Sequence, residues 1–281
     1  MISVLILTKN EEKDLSGCLE SVRWSDDIHV YDSFSTDNTV EIAKSMGAHV
    51  TQRSYDANKL AFGGDEAAHR NWGLRNIPFK HEWVFLLDAD ERVPASLVTE
   101  ITQVIQDSPH VAYQIRRRDF FLSSWLRHAQ TTPYYLRLVR PERMHYERLI
   151  NPVSVVDGTT GKLKGYFDHY PFSKGIAHWI TKHNHYSTLE AKQIVENRAA
   201  GGKFSVAKAF FEKDFQKKRY HQKEFFYQLP ARPLLKFFLL YFLKRGFLDG
   251  RAGLTYSILQ SMYEYMIVLK VRELDVQSAK G

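Results

Sequence analysis

The fold of this chain is decided by the stretch WVFLLDADE, residues 83–91. An apolar run that stops at acids predicts a buried strand with carboxylates at its carboxyl end. In an open α/β sheet, ligands bind at that end of the strands. Asp88 and Asp90 flank one small residue, so they can share a hard cation such as Mg²⁺ or Mn²⁺. We therefore expect a ligand site directly after this strand.

The residues upstream predict the rest of a parallel sheet. The apolar run 3–8 is typical of a first strand, and Asn10 is expected to cap a helix that reaches about Trp24. A second strand over 28–32 ends in Asp32, and a third is expected over 48–53 after a short helix. This βαβαβ order favours a parallel α/β sheet.

Downstream, the pattern changes from mixed to helical. A helix from Glu66 to Arg75 carries Arg70, and Pro94 is expected to begin another helix. From about Ile176 the chain is predicted to be helical. A short apolar segment follows at 234–243, and then a helix over 254–271 whose expected inward face consists of Ile258, Met262, Tyr265, Met266 and Leu269.

The composition limits the class of protein. With 281 residues and 44% hydrophobic residues, the chain can build one large core or a core with an extension. Cys18 is the only cysteine, which excludes an internal disulfide and a cysteine-based zinc site. The amino terminus is unlike a signal peptide, and no stretch approaches 18 uninterrupted apolar residues, so no transmembrane helix is expected.

The basic charge is concentrated at the carboxyl-terminal end. Residues 1–202 hold 24 Lys and Arg against 25 Asp and Glu, whereas residues 203–281 hold 15 against 7. This asymmetry indicates a polyanionic partner such as anionic lipid, phosphorylated glycan or nucleic acid. The alternative is a solubilising surface without a partner.

Three strand ends are expected to converge, with Thr8 to Glu11, Asp32, and the acids Asp88 and Asp90 along one edge of the sheet. The first strand lacks the Gly-x-Gly-x-x-Gly pattern of a dinucleotide site. The stretch KNEE at 9–12 is also unlike the glycine-rich basic loop of a nucleotidyltransferase.

These segments together resemble family 2 glycosyltransferases of the GT-A fold. The signatures are LTKNE at 7–11, DSFSTDNT at 32–39 and LDADE at 87–91. Residues 135–273 further resemble a bacterial subgroup that contains lipopolysaccharide-core β-1,4-glucosyltransferases. The matching segments there are LRLVR at 136–140, HYERL at 145–149, KHNHYS at 182–187 and RGFLDG at 245–250.

The resemblance implies an α/β fold of GT-A (Rossmann-like) type, with a mostly parallel sheet flanked by helices and a basic helical extension. It implies a catalytic domain over 1–229, with a nucleotide-sugar-binding half at 1–120 and an acceptor half at 121–229. An amphipathic extension over 230–281 would follow. By the same resemblance, the nucleotide would be bound by Thr8, Glu11, Asp32, Arg70 and Asp88. Asp90 would hold Mg²⁺ or Mn²⁺ on the diphosphate.

An inverting transferase needs a base for the acceptor hydroxyl. The subgroup usually has Val-His-Glu where this chain has His145-Tyr146-Glu147, so Glu147 is the expected base and Asp119 the second candidate. The alternative for Glu147 is a surface carboxylate paired with Arg143 or Arg148.

Two basic features have weaker functional interpretations. The histidines at 169, 178, 183 and 185 could suggest zinc, but no tight carboxylate or cysteine partner accompanies them. For His183 and Tyr186, packing on a helix face or contact with phosphate is expected instead. The run Arg116 to Arg118 could meet an anionic acceptor or simply be solvated.

The expected function is transfer of a sugar, with inversion, from a nucleoside diphosphate sugar, with a UDP-sugar as the first choice. The acceptor would be a lipid-linked or lipopolysaccharide glycan. The expected location is cytoplasmic, peripheral at the inner face of the cytoplasmic membrane through the basic carboxyl-terminal helices, with no nucleic-acid partner. The alternatives are a polyprenyl-phosphate glycosyl synthase and a non-enzymatic basic membrane-binding protein.

Overall fold

The computed structural model describes residues 1–54, 66–130, 133–147, 153–199, 205–212 and 215–278. The chain forms two compact units. The first unit comprises Met1–Phe120 and Thr132–Ser173, and the second comprises Phe121–Thr131 and Lys174–Gly281. The expected division between residues 229 and 230 stays a prediction. Arg148 and Leu149 of the expected acceptor motif lie outside the described residues.

The amino-terminal part of the first unit alternates strands and helices as the sequence predicts. Its elements are β1 (Ser3–Thr8), α1 (Leu15–Ser21), β2 (Ile28–Asp32), α2 (Thr39–Ser45) and β3 (His49–Gln52). They continue with α3 (Glu66–Asn76), β4 (Val84–Asp88), β5 (Glu91–Arg92), α4 (Ala95–Val104) and β6 (Ala112–Phe121). Helix α4 begins at Ala95, one residue after the predicted start, and Pro94 is its N-cap.

The remaining strands are short, apart from the last. They are β7 (Ser124–Trp125), which belongs to the second unit, then β8 (Tyr134–Val139), β9 (Met144–Glu147), β10 (Val153–Val156) and β11 (Thr160–His169). A 3₁₀ turn at Pro141–Arg143 separates β8 from β9.

The main sheet of the first unit has the order β3-β2-β1-β4-β8-β6-β11-β5. Strands β3, β2, β1 and β4 run parallel, and β6 is parallel to β11. Strand β8 lies antiparallel between β4 and β6, and β5 is antiparallel to β11. The predicted α/β class with a mostly parallel sheet and flanking helices is confirmed. A separate two-stranded antiparallel sheet is formed by β9 and β10.

Both faces of the central strands are buried, which explains their uninterrupted apolar sequences. In β4, Phe85 and Leu87 belong to one core cluster, while Val84 and Leu86 belong to the cluster on the other face. Alternate side chains of a strand point to opposite faces, so a strand covered on both sides needs apolar residues at every position.

The first helix begins later than predicted. It starts at Leu15 with Asp14 at the N-cap, and Asn10 has a left-handed φ of 55°. The Asn10 side chain does not cap this helix, because its Oδ1 accepts a 2.8 Å hydrogen bond from the Thr36 amide in the loop after β2.

Apart from β7, the regular elements that the structure describes in the second unit are helical. Its helices are α5 (Ile176–Ala199), α6 (Val206–Phe211), α7 (Phe215–Gln228), α8 (Arg232–Phe238) and α9 (Gly250–Ser278). A π-helical turn at Leu239–Leu243 and a 3₁₀ turn at Gly246–Asp249 join α8 to α9. Within this unit, α9 packs against both α5 and α8. His183 stacks on Trp179 with ring centroids 3.7 Å apart, which confirms the packing role expected for it.

The prediction of which residues of α9 face inward is wrong. Ile258, Met262, Tyr265 and Leu269 are exposed, whereas Leu259, Ile267 and Val271 are buried. Apolar and polar residues are spread around this helix, since Ser257 and Glu264 are buried while Ile258 and Met262 are exposed, so its periodicity does not select one face for the core. Among the helices that the structure describes, none combines the length and the apolar character needed to cross a membrane.

Candidate functional site

The register of the sheet brings the predicted strand ends together. Thr8 is opposite Asp32 in the β1–β2 pair, and Leu7 is opposite Asp88 in the β1–β4 pair. The carboxyl ends of these three parallel strands therefore lie side by side. The predicted convergence of Thr8, Asp32 and Asp88 is confirmed.

Asp32 forms the polar floor at this edge. Its carboxylate is fully buried and accepts hydrogen bonds of 2.9 Å from Thr8 Oγ1, the Ser35 amide and Gln52 Nε2, and a further bond from Ser35 Oγ. Burial acts to raise the pKa of Asp32, but the bonds from Ser35, Gln52 and Thr8 outweigh it and lower that pKa. The four acceptor positions of this anion are filled, so a bound base would have to replace one of these donors.

The loops after β1 and β2 are tied to each other. Besides the bond to Thr36, the Asn10 amide donates to Ser35 Oγ at 2.8 Å. The Glu11 amide donates to Thr39 Oγ1, also at 2.8 Å. These bonds hold Glu11, an expected nucleotide ligand, beside the loop that follows Asp32.

The acids after β4 are held by a buried arginine. Arg137 Nη2 lies 2.5 Å from Glu91 Oε1 and 3.1 Å from Asp88 Oδ2. Glu91 Oε2 accepts the Asp88 amide at 2.9 Å, so Glu91 supports the loop from below. Asp88 remains accessible, with 38% of its side chain exposed.

The two acids that contact Arg137 have opposite pKa shifts. Burial raises the pKa of Glu91 to about 7, although Arg137 acts in the other direction. For Asp88, burial is again the largest influence and would raise the pKa, but Arg137 and Arg70 together hold it well below its usual range. The cluster therefore keeps Asp88 ionised and places its charge at the surface of the site.

Asp90 is the first member of a hydrogen-bonded chain across three strands. Asp90 Oδ2 lies 3.3 Å from His169 Nε2, and His169 Nδ1 lies 2.5 Å from Asp119 Oδ1. Arg117 Nε is 2.9 Å from the same Asp119 oxygen. The pairing of β11 with β5 and β6 produces this order, because His169 is opposite both Glu91 and Asp119.

The two carboxylate partners of His169 favour its protonated form. Burial alone would lower its pKa, but the hydrogen bonds to Asp119 and Asp90 raise the pKa to about 9. Asp119 is itself buried, and its contact with His169 Nδ1 orients the imidazole ring. The role of Asp119 as a base stays a prediction.

Arg70 lies on α3 and faces the acids. It is paired with Glu66 at 2.7 Å, and its Nη2 lies 3.9 Å from Asp88 Oδ1. Its guanidinium also lies 5.5 Å from the centre of the Tyr146 ring. The structure thus places Arg70 beside Asp88, where it adds positive charge to the edge of the sheet.

Glu147 lies at the end of β9 with 60% of its side chain exposed. It contacts His145 Nε2 at 3.0 Å. The Tyr146 amide and carbonyl both bond to the Asn71 side chain, at 2.7 and 2.8 Å, which anchors this strand to α3. Arg143, an alternative partner expected for Glu147, instead lies 3.4 Å from Asp157.

Sequence reasoning missed two residues of this constellation, Arg137 and His169. Arg137 is a single cation within an otherwise apolar strand, which was a signal for a buried ion pair. His169 appeared to have no carboxylate partner because Asp90 and Asp119 are remote from it in the sequence. The described residues contain no cluster of three or more His, Cys, Asp or Glu side chains that could hold a metal.

Comparison with known proteins identifies the class. The model for glycosyl transferase family 2 matches residues 3–169, more than half of the chain. The chain therefore belongs to glycosyl transferase family 2, and it is a glycosyltransferase. The edge formed by β1, β2 and β4 lies within the matched region.

Two relatives align along almost the whole chain. A glycosyltransferase of Rickettsia typhi, whose name carries no assigned substrate, is 26% identical over 99% of this chain and 88% of its own length. The lipopolysaccharide core biosynthesis glycosyltransferase LpsC of Rhizobium meliloti is 25% identical over 96% of this chain and 91% of its own length.

Solved structures are more distant. S. aureus TarS (residues 1–349) is 14% identical, with 94% of this chain and 90% of that chain covered and a TM-score of 0.45. Glucosyl-3-phosphoglycerate synthase from Mycobacterium tuberculosis, in complex with Mn²⁺, UDP and glucosyl-3-phosphoglycerate, is 22% identical over 42% of this chain and 44% of that chain. Its TM-score is 0.34. At these scores neither structure bears on the chemistry of this chain.

Proposed function

We propose that this glycosyltransferase moves a sugar from a nucleoside diphosphate sugar, with a UDP-sugar as the first candidate, to a lipid-linked or lipopolysaccharide glycan, with inversion. The observation that carries the proposal is the convergence of Thr8, Asp32, Asp88 and Asp90 at the carboxyl ends of β1, β2 and β4. A nucleotide with its diphosphate needs both a base pocket and a charged edge, and these residues supply both.

The base and ribose would lie over Asp32 and Asp88. The buried Asp32 carboxylate can accept an imide N–H, provided that Gln52 or the Ser35 hydroxyl gives up its place. Asp88 is exposed enough to accept from a ribose hydroxyl while Arg137 holds its other oxygen. Arg70 adds a cation at the same edge for the phosphates.

Asp90 and His169 are the residues that would hold a divalent cation. Their side chains lie within 3.3 Å of each other, and Asp119 fixes the far nitrogen of His169, as is usual for metal-bound histidines. Two protein donors suit Mg²⁺ or Mn²⁺, which take their other ligands from water and phosphate. Such a cation stabilises the charge that develops on a diphosphate leaving group.

Glu147 is the proposed base for the acceptor hydroxyl. Its exposed carboxylate is accessible to a large acceptor, and His145 beside it limits its orientations. Asp119 is less suited to direct contact with an acceptor because it is buried beneath His169.

We also propose that the chain works at the inner face of the cytoplasmic membrane. The second unit exposes large apolar side chains on α8, on the π-helical turn and on α9, and Lys244 and Arg245 follow that turn. An apolar helical surface with cations around it suits an anionic lipid surface. A lipid-linked acceptor is found at the same surface.

A screen of nucleotide sugars for metal-dependent hydrolysis tests the proposed reaction. We expect one UDP-sugar to be hydrolysed slowly with Mn²⁺, and Asp90→Asn to reduce that rate at least about 100-fold. Asp107→Asn, which alters an exposed acid after α4, is the matched control and should keep the wild-type rate. Hydrolysis that is absent with every donor, or equal in Asp90→Asn, would contradict the proposal.

A further inference from the structure

The second unit contains a pocket that the proposed sugar transfer does not use. It has a volume of about 510 Å³ and lies among the end of α5, the connection from α7 to α8, and the carboxyl-terminal half of α9. We refer to it as the arginine pocket, defined by Arg198, Tyr227, Arg232, Leu234, Tyr265 and Arg272.

The walls of the arginine pocket are positively charged. Three arginines line it against one carboxylate, Asp275. Arg198 Nη1 lies 3.6 Å from Asp275, and both side chains are about half exposed, so this ion pair is weak. The Arg272 side chain makes no hydrogen bond or ion pair with any residue that the structure describes. The pocket therefore retains an excess of cationic groups.

Arg232 provides the buried cation of the pocket. It is 5% exposed, its Nε lies 3.4 Å from Glu264 Oε1, and its guanidinium lies 5.0 Å from the centre of the Tyr227 ring. Burial lowers the pKa of Arg232, and Glu264 offsets this only in part. A second anion would compensate the charge further. Planar guanidinium groups pair well with the oxygens of phosphate.

Two rows of exposed apolar side chains meet at the pocket. The first row runs along α8 and the π-helical turn through Leu234, Phe238 and Phe242 at four-residue spacing, and the second runs along α9 through Ile258, Met262, Tyr265 and Leu269. Leu234 and Tyr265 belong to these rows and also line the pocket. A soluble phosphate ester would leave these rows in water, whereas an acyl chain would cover them.

We propose that the arginine pocket binds the phosphate of an anionic phospholipid, whose acyl chains lie along the two apolar rows. Charge complementarity favours the phosphate, and the continuity of Leu234 and Tyr265 with the exposed rows favours a lipid over a soluble ester. This inference extends the proposed membrane association to a defined headgroup site. It uses no residue of the nucleotide edge, so it is independent of sugar transfer.

The test is an isothermal calorimetric titration of the full chain with dihexanoylphosphatidylglycerol, at lipid concentrations below that at which micelles form. We expect saturable binding, weakened about tenfold or more in Arg198→Gln/Arg272→Gln, because two charge-assisted contacts are lost. Arg23→Gln/Lys44→Gln removes the same charge from exposed positions of the first unit and should bind as the wild type does. Leu234→Ser should also weaken binding, without a change of charge.

Two further ligands separate the possible sources of phosphate. Binding of sn-glycerol 3-phosphate as tight as that of the lipid would overturn the proposal, since the apolar rows would then contribute nothing. Equal binding of dihexanoylphosphatidylcholine, or equal losses in both double variants, would also overturn it. A UDP-induced rise in melting temperature, measured on the same variants with Mn²⁺, shows separately whether the nucleotide site is present and folded.

Discussion

At the scale of single residues, Arg137 has the largest influence on the geometry of the site. It contacts Asp88 and Glu91 at once, and it is nearly inaccessible to solvent. Without it, two carboxylates would face each other at a buried strand end. The Asp88 carboxylate would then lose the partner that orients it.

We expect Arg137→Met to lower the free energy of unfolding by about 2–3 kcal/mol, since Glu91 can take up a proton and limit the loss. When the pKa of an acid such as Glu91 is higher in the folded than in the unfolded protein, the folded state becomes less stable as pH rises. The deficit should therefore be larger at about pH 8 than at about pH 6. Urea unfolding at both pH values measures it. Arg23→Gln, an exposed arginine paired with Glu20, is the control, and an equal loss there would refute the role of Arg137.

Asp119 is expected to act through His169. Asp119→Asn should weaken Mn²⁺ binding to the UDP complex about 10- to 100-fold, because the imidazole loses the partner that orients it. Binding of UDP without metal should hardly change. Asp168→Asn is a close control, as Asp168 is the preceding residue of β11 and pairs with Arg118. Identical metal affinity in Asp119→Asn and Asp168→Asn would contradict this role.

At the scale of elements, the sequence predicts the local structure better than the long-range pairing. The strands β1 and β4 were predictable because burial on both faces requires uninterrupted apolar runs. The short strand β5 and its pairing with β11 were not predictable, since they depend on residues about 75 positions apart. That pairing places His169 beside Asp90. The sequence therefore indicated Asp90 as a metal ligand but gave no indication of His169 as the second one.

The start of α1 and the buried face of α9 show two other limits. A cap residue can be recruited by a distant loop, as Asn10 is by Thr36, and local propensity then fails. The apolar residues of α9 are spread around the helix, so their spacing could not show which of them face the core, and Ile258 and Met262 are exposed.

Asp249, at the end of the 3₁₀ turn before α9, fixes a loop of the second unit. Its oxygens accept the amides of Arg127, His128 and Ala129 at 3.2, 2.9 and 2.8 Å, and His128 Nδ1 lies 2.7 Å away. Asp249→Asn should lower the stability of this unit by about 1–3 kcal/mol, because an amide group cannot satisfy all four donors. Faster hydrogen exchange at 127–129 would accompany it. The control is Glu273→Gln, which alters an exposed acid of α9. If Asp249→Asn is as stable as this control, Asp249 does not fix the loop.

At the scale of the whole molecule, the candidate nucleotide edge and the basic excess lie in different units. The candidate nucleotide edge lies in the first unit, in the region matched by the family model. The basic excess of residues 203–281 lies in the second, with its exposed apolar rows and the arginine pocket. The composition of the sequence indicates that the carboxyl-terminal end is basic. The arginine pocket could not be predicted from composition, because it is formed by the packing of α5, α8 and α9.

We propose that Asp90 and its neighbours bind the diphosphate of a nucleotide through a divalent cation. The most direct measurement is the melting temperature of the chain with UDP, with Mn²⁺, and with both. We expect the melting temperature to rise by several degrees with both ligands together, and we expect this rise to be absent in Asp90→Ala and retained in Asp107→Asn. An equal rise in Asp90→Ala, or no rise in the wild type with either UDP or GDP and Mn²⁺, would contradict it.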